Sequence, residues 1–475
     1  MEKNQQLTLR IETLGTEGEG ISHVDGYTLF LKDAAPGDLV QAVVTKVGKT
    51  YGYARVLDIL EPSADRISPC CPLAKRCGGC TLQHIAPAAE DRFKEQRVRD
   101  CLHRIGGFSE ELLDAVMEPI IGIREDELWH YSNKAQFPVG ARNDDAGQDA
   151  GMPEIGFYAA RSHEIIDLNH CYIQCEEHED IIRILRSYMQ AYRIQGYDEQ
   201  SGKGLIRHLM IRKGFRSGEI GICLVLNRDA DHLTLPHGKE LVDMLRGTFP
   251  QITSICLNAN PKKTNVIFGE GLRVLYGEDY ITDMIGDLTF RISPLSFFQV
   301  NPRQMVRLYQ TALEFAGLTG QETVWDLYCG IGTISLFLAR SAAHVYGVEI
   351  VPEAIRNARL NAEENHILNA DFSVGAAEDV APELPKPDVI VVDPPRKGCD
   401  AKLLDTILDY QPERIVYVSC DPATLARDLK ILAAGGYDIR RVRPCNMFPR
   451  GGHIECVTLL QRMSNTREQS FRNIK

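Results

Sequence analysis

The chain has 475 residues, 44% of them hydrophobic and 25% charged, with a formal net charge of −12. This balance suits a globular protein of about three domains and excludes a disordered or fibrous chain. Apolar runs such as Asp388 to Asp393 are broken by charge well short of the roughly 20 residues that a membrane span needs. No membrane partner is expected, and the polar opening Met1-Glu-Lys-Asn makes a cytoplasmic location the expectation.

Residues 1–62 read as a small OB-like β-barrel. Leu7, Leu9 and Ile11 alternate with Thr8, Arg10 and Glu12, a second alternation runs through Val40, Ala42 and Val44, and turn residues at Gly15 to Gly20, Asp25-Gly26 and Ala35-Pro36-Gly37 separate about five short strands. Residues 63–116 open with a cysteine-dense loop, Cys70 to Cys80. They continue into a helix from Pro87 whose Phe93, Val98, Leu102 and Ile105 share one side until Gly106-Gly107 stops it. Residues 117–285 are strand-rich with one helix near Glu176 to Gln195, a mixed α+β domain. In residues 286–463 short apolar runs (Thr323 to Leu327, His344 to Val348, Asp388 to Val392, Arg414 to Val418) alternate with helical stretches, the signature of a Rossmann-like, doubly wound α/β sheet. Residues 464–475 form a polar tail expected to fray.

The chemistry gathers at the strand ends of this last domain. Gly330 and Gly332, after Trp325-Asp-Leu-Tyr-Cys, allow backbone amides to approach a ligand at a helix start. A dinucleotide fingerprint would want a third glycine where this chain has Ser335, and Asp326 suits a ligand with a positive group better than a pyrophosphate. Glu349, closing the second strand, is placed to accept both hydroxyls of a ribose. Together these fit S-adenosylmethionine, with its adenine beside Ile350. The fourth strand runs into Asp393-Pro-Pro-Arg396, a rigid loop where such sheets bind ligands. An arginine stands where amino-methylating enzymes carry a stacking aromatic, which disfavours methylation at nitrogen.

The fifth strand delivers Cys420 to the same rim, ahead of a helix whose dipole is expected to stabilise a thiolate. Carbon 5 of uracil is a weak nucleophile, but sulfur added at carbon 6 turns the ring into an enolate whose carbon 5 can accept a methyl group. A base must then remove the carbon-5 proton, and Glu455, at the start of the final strand, is the acidic residue placed to do so.

Ser296-Phe-Phe-Gln-Val-Asn301, Asp326-Leu-Tyr-Cys-Gly-Ile-Gly332, Asp393-Pro-Pro-Arg396, Val418-Ser-Cys-Asp-Pro-Ala-Thr-Leu-Ala-Arg427 and the Phe-Pro to His-Ile-Glu455 stretch resemble, in order and spacing, the RNA (uracil-5-)-methyltransferase family. The resemblance implies a class I methyltransferase domain with a mixed seven-stranded sheet and an N-terminal TRAM domain, a module carried by ribosomal-RNA members. It further implies Cys420 as nucleophile and Glu455 as base. Gln299, Tyr328, Glu349 and Asp393 would lie around S-adenosylmethionine and the target uracil, with Phe297 as the stacking aromatic. Where the family usually has a threonine before its His-x-Glu, this chain has Gly451, which predicts a looser loop around Glu455.

Fourteen cysteines in a reducing compartment must serve packing, metal ligation or catalysis. Cys71, Cys77 and Cys80 supply three thiolates from one glycine-containing loop. Cys171 and Cys175 are candidates for a fourth, and the resemblance (Asn169-His-Cys-Tyr-Ile173) favours Cys171 and a [4Fe-4S] cluster. Zinc remains the alternative, since spacing does not separate the two. Cys70 reads as a bystander. For an RNA partner, two stretches free of carboxylates stand out: Lys203 to Arg216 and Arg440 to Arg450. The reading is S-adenosylmethionine-dependent methylation of a uridine at carbon 5 of 23S ribosomal RNA, with no obligate protein partner. The same chemistry on tRNA, a non-catalytic RNA-binding iron–sulfur protein and a small-molecule or nitrogen methyltransferase are the alternatives.

Overall fold

The computed structural model describes residues 1–141, 152–160 and 162–463; the predicted polar tail lies outside them. Six strands build the N-terminal unit: β1 (Gln6–Arg10), β2 (Thr13–Leu14), β3 (Gly20–Val24), β4 (Tyr27–Leu31), β5 (Leu39–Val47) and β6 (Tyr51–Glu61), in the order β1-β5-β6-β4-β3-β2. Sequence reading expected about five, because the two residues of β2 are too few to show an alternation. Asp25 and Gly26, both with positive φ, make the tight turn between β3 and β4. Leu9, Leu29, Leu31, Val40 and Val44 fill the interior.

Helix α1 (Pro87–Cys101) runs on into a single π-turn, Leu102–Gly106, ended by left-handed Gly107. The wider turn rotates Ile105 out to solvent, although Val98 and Leu102 are buried as expected. Helix α2 (Glu110–Val116) follows, capped by the Ser109 hydroxyl, which accepts from the Leu112 amide. Val98, Leu102, Leu113 and Val116 share one core with Leu425 and Leu429 of the C-terminal domain, so this linker packs as part of that domain.

The central domain is a seven-stranded sheet of β7 (Lys134–Ala141), β8 (Pro153–Tyr158), β9 (Ile165–Asp167), β10 (Ile206–Lys213), β11 (Ile220–Leu226), β12 (Ile252–Ala259) and β13 (Leu272–Gly277). Their order is β13-β12-β11-β10-β7-β8-β9. The expected helix is α3 (His178–Ala191), but a second, α4 (Gly238–Thr248), corrects the one-helix expectation. Helix α4 buries Leu241 and Leu245, but it is short, starts at Gly238 without a side-chain cap and carries Gly247 near its end, so no start or stop signal marks it. A hairpin of β14 (Ile281–Ile285) and β15 (Leu288–Ile292) and helix α5 (Pro302–Ala316) lead into the last domain.

There, β16 (Thr323–Leu327), β17 (His344–Glu349), β18 (Ala370–Val374), β19 (Val389–Val392), β20 (Arg414–Ser419), β21 (Tyr437–Cys445) and β22 (Glu455–Arg462) form a sheet ordered β18-β17-β16-β19-β20-β22-β21. All pairings are parallel except those of β22. Helices α6 (Thr333–Ala339), α7 (Pro352–Glu364), α8 (Ala377–Val380), α9 (Ala401–Tyr410) and α10 (Pro422–Ala434) are the crossovers. Strand β19 is buried at every position, as a parallel strand covered on both faces must be. The strand order reverses between β16 and β19, opening the crevice where such sheets receive ligands.

Candidate active site

The turn after β16 is held by backbone geometry that few side chains tolerate. Tyr328, Gly330 and Gly332 all have positive φ; for Tyr328, a tyrosine in the left-handed region, this is strain of the kind that collects at functional sites. A Cβ added at Gly330 would meet nothing within 4 Å, so the turn faces open space. Glu349 braces it, one carboxylate oxygen accepting from the Gly330 amide at 3.3 Å and the other from the Val351 amide at 3.0 Å. Asp326 is fully buried beneath the turn. Its Oδ2 accepts from the Ser335 hydroxyl, whereas Oδ1 is buried without a partner. An orphaned carboxylate oxygen under an open glycine turn fits a ligand that brings a positive, hydrogen-donating group, as S-adenosylmethionine does. Ile350, expected beside adenine, is 66% exposed and free to take one.

Three further predicted residues meet at the adjoining strand ends. The Asp393 amide donates to the Leu327 carbonyl at 3.4 Å, which seats the Pro-Pro loop against the glycine turn. Strand β20 pairs antiparallel with β22 through Ser419 and Cys456, so the next positions, Cys420 and Glu455, face each other across the strand ends. Burial pushes the Cys420 thiol up to about 12, and the Glu455 and Asp393 carboxylates add to the rise. This corrects the expectation of a dipole-stabilised thiolate. The first amides of α10, from Ala423 and Thr424, are already taken by the Asp421 side chain, which leaves less of the helix end to a thiolate.

Glu455 is held well above the ordinary carboxylate range, by burial first and then by Asp393, and its Oε2 has no partner. Asp393 is raised to about 7 by burial and then by Asp326, which itself rises to about 7 through burial. Arg396 opposes both shifts at Cys420 and Glu455 and lies 3.2 Å from His453. Tyr309 of α5, which sequence reading missed, is buried among Asp393, Asp326 and Glu455, and its hydroxyl is 3.2 Å from that of Thr333. No local motif marks it, because it sits mid-helix on an otherwise apolar side.

These raised carboxyls tie stability to pH. Carboxyls of an unfolded chain titrate near 4, so between about 4 and 7 the folded protein binds more protons than the unfolded chain, and stability falls as pH rises through that window. The urea midpoint of wild type is therefore expected to drop from pH 5 to pH 7.5 more steeply than that of Asp393→Asn. Parallel profiles would contradict the assignment.

Gln299 is buried in the segment leading to α5, its carbonyl accepting from Asn133 Nδ2 at 3.0 Å. Ser296, in the same segment, lies 3.4 Å from Asn357 Nδ2 of α7, on the Glu349 side of the sheet. Phe297 projects from it, 68% exposed. The loop before Glu455 is not loose, contrary to the expectation drawn from Gly451. Lys94 donates to Glu90 at 2.9 Å, to Asn446 at 2.6 Å and to the Phe448 carbonyl at 2.9 Å. Arg450 pairs with Glu90, and its carbonyl accepts from the Leu82 amide at 2.9 Å. A Cβ at Gly452 would stand 2.8 Å from the Thr16 carbonyl oxygen, so barrel and catalytic loop touch.

The cysteine loop and Cys171 are brought together. Cys80 is raised to about 12 by burial, with smaller contributions from Cys171, Cys77 and Cys71. Cys171 feels Cys77 and Cys71, whereas the charged neighbours of Cys175, a core residue, are Glu177 and Lys213. Among the described residues no group of three His, Cys, Asp or Glu side chains is arranged to hold a metal ion.

Most cations of the two expected RNA-contact stretches have protein partners. Arg207 donates to the Asn260 and Lys262 carbonyls and lies over Tyr197, and Lys213 pairs with Glu177. In the second stretch Arg441 pairs with Glu118 and Glu314, Arg443 with Glu118, Arg440 with Asp438, and Arg450 is buried on Glu90. Arg207, Lys213, Arg441 and Arg450 are thus held by protein groups, whereas the first stretch also contains exposed Lys203 and Arg216 and the buried Arg212, whose Nε and Nη1 have no partner.

Residues 217–463 match the family model for tRNA (uracil-5-)-methyltransferases, and residues 2–57 match that for the TRAM domain. An RNA methyltransferase of Halalkalibacterium halodurans is 50% identical over 97% of both chains, and one of Clostridium acetobutylicum 46% identical over 98% of both. Among solved structures, the Pyrococcus abyssi tRNA (uracil-54, C5)-methyltransferase in complex with S-adenosyl-L-homocysteine covers 95% of this chain and 99% of its own. The TM-score is 0.75 at 26% identity.

Proposed function

Since the chain belongs to the tRNA (uracil-5-)-methyltransferase family of RNA methyltransferases and carries a TRAM domain, we propose that it methylates a uridine of 23S ribosomal RNA at carbon 5 through a covalent bond to Cys420. The observation that carries this reading is the meeting of Cys420, Glu455 and Asp393 beside the glycine turn. Asp326, Tyr328, Glu349 and Gln299 are assigned to S-adenosylmethionine, which when bound supplies an activated methyl group to carbon 5. Phe297 offers its exposed ring to the flipped base. Asp393, titrating near neutrality, accepts the Cys420 proton as sulfur adds to carbon 6. After methylation Glu455 removes the carbon-5 proton, the ring regains its double bond and the sulfur leaves. The barrel (1–62) and central domain (117–285) are assigned to RNA binding.

Glu455→Gln is expected to add sulfur normally but to release slowly, so denaturing gels should show more covalent complex with unmodified RNA than wild type gives. Rapid turnover by that variant would remove Glu455 from the base role.

A second reading, tRNA as substrate, is favoured by one observation: the Pyrococcus abyssi tRNA enzyme aligns over 95% of this chain, so its overall architecture does not by itself exclude tRNA. Labelled methyl transfer into unmodified 23S rRNA and unmodified tRNA, with nucleoside analysis of the product, decides between them. 5-Methyluridine in the rRNA alone is expected.

We also assign Cys71, Cys77, Cys80 and Cys171 to a [4Fe-4S] cluster, supported by the convergence of four thiols from two chain segments. Such a cluster holds its sulfurs farther apart than a single ion would. Protein purified without oxygen should contain about four irons and four sulfides per chain. Cys171→Ser should lose them and Cys175→Ser keep them; stoichiometric zinc without sulfide would overturn the assignment.

A further inference from the structure

One pair of cations is left without an explanation by the fold. Strands β7 and β10 pair antiparallel with Lys134 opposite Arg212. Residues directly opposite share a face of the sheet, so two positive side chains stand side by side, an arrangement that costs stability unless something negative joins them. Their face is the one turned away from the apolar cluster of Ala135, Phe137, Leu209 and Ile211.

Arg212 is 2% exposed and donates Nη2 to the Ser296 carbonyl at 2.9 Å, while its Nε and Nη1 are buried with no partner at all. Lys134 is half-buried. Burial and the neighbouring Arg212 lower it to about 8, and no carboxylate offsets the fall. Burial alone lowers Arg212 to about 10. Arg207 and Lys213, on the same strand, both have partners of their own.

The pair lies directly behind the segment that presents Phe297. Arg212 holds the Ser296 carbonyl, and Asn133, the residue before Lys134, holds the Gln299 carbonyl. A nucleotide swung out of its stack brings its phosphate along, about one sugar's length from the base. We propose that Lys134 and Arg212 form an anion seat for the backbone phosphate of the nucleotide whose base stacks on Phe297. The half-buried ammonium of Lys134 makes the contact, and Arg212 adds charge and its unused Nε and Nη1 donors from behind. The phosphate supplies the counter-charge that the sheet lacks. This rests on the reading of the protein as an RNA methyltransferase.

The test uses the full-length protein and an unmodified 23S rRNA transcript, with binding measured across a salt series. Lys134→Met and Arg212→Met are each expected to weaken RNA binding several-fold. Each should also lower the slope of log K against log salt by about 0.7, the counterion release of one single-strand phosphate contact. S-adenosylmethionine affinity should not change. If Arg212→Met does not fold, Lys134→Gln is read in its place. A folded Lys134 variant with wild-type affinity and salt slope overturns the proposal. Weakened S-adenosylmethionine binding with RNA binding intact also overturns it, by assigning the seat to the cofactor's carboxylate. Wild-type protein that neither binds nor methylates any RNA fails one step earlier, at the reading on which the seat rests.

Discussion

Cys420→Ala is expected to lower methyl transfer by roughly 10⁴-fold or more, the scale on which enzymes lose rate when a covalent nucleophile is removed. The size of the effect follows from the substrate. Without sulfur at carbon 6, carbon 5 of uracil has no lone pair to offer, and an intact cofactor pocket leaves only a bound, unreactive base. The pocket should survive the substitution, because Asp326, Glu349 and the Gly330 turn are braced by bonds that do not involve Cys420. Undiminished cofactor binding with lost transfer is therefore the expected pattern, read by calorimetry and by methyl label. A variant retaining a tenth of wild-type transfer would require another route to carbon 5.

Lys94→Met is expected to have the largest effect on stability. Lys94 and Glu90 are wholly buried, and Lys94 also satisfies Asn446 and the Phe448 carbonyl. Burial lowers the Lys94 ammonium, and the nearby Glu90 carboxylate opposes the shift. Removing one partner of such a pair typically costs about 3–5 kcal/mol, because the remaining charge stays buried with less compensation. Arg450 still reaches Glu90, so the lower end of that range is expected. The loss should appear in urea unfolding of the variant, and a change below about 1 kcal/mol would place this pair among exposed ones. The consequence reaches chemistry, since the same residues hold the loop that leads to Glu455 and join it to the cysteine loop through Leu82.

What could be read from the sequence was local. The strand-to-helix turn at Asp326 to Gly332, the Asp393-Pro-Pro loop, Cys420 and Glu455 are short strings whose chemistry needs only their neighbours. The limits of β16, β17, β19 and β20 follow from apolar runs and are seen within one residue. The Arg440 to Arg450 stretch misled because charge along a chain says nothing about partners distant in sequence: Arg450 is spent on Glu90, 360 residues away. The Cys420 thiolate misled for a related reason. A helix start was visible, but Asp421's use of its amides and the approach of Glu455 from another strand were not. Tyr309 and Lys94, on helices, carry no motif and are recognised only by what folding brings against them.

The account stands most directly on the covalent step. Fluorine at carbon 5 cannot be removed as a proton, so RNA containing 5-fluorouracil should trap the wild-type protein after methylation. Mass spectrometry of the digested complex is predicted to find the methylated, fluorinated nucleotide on the peptide holding Cys420, and Cys420→Ala should yield no adduct. Equal trapping by the two proteins, or an adduct on any other cysteine, would contradict it.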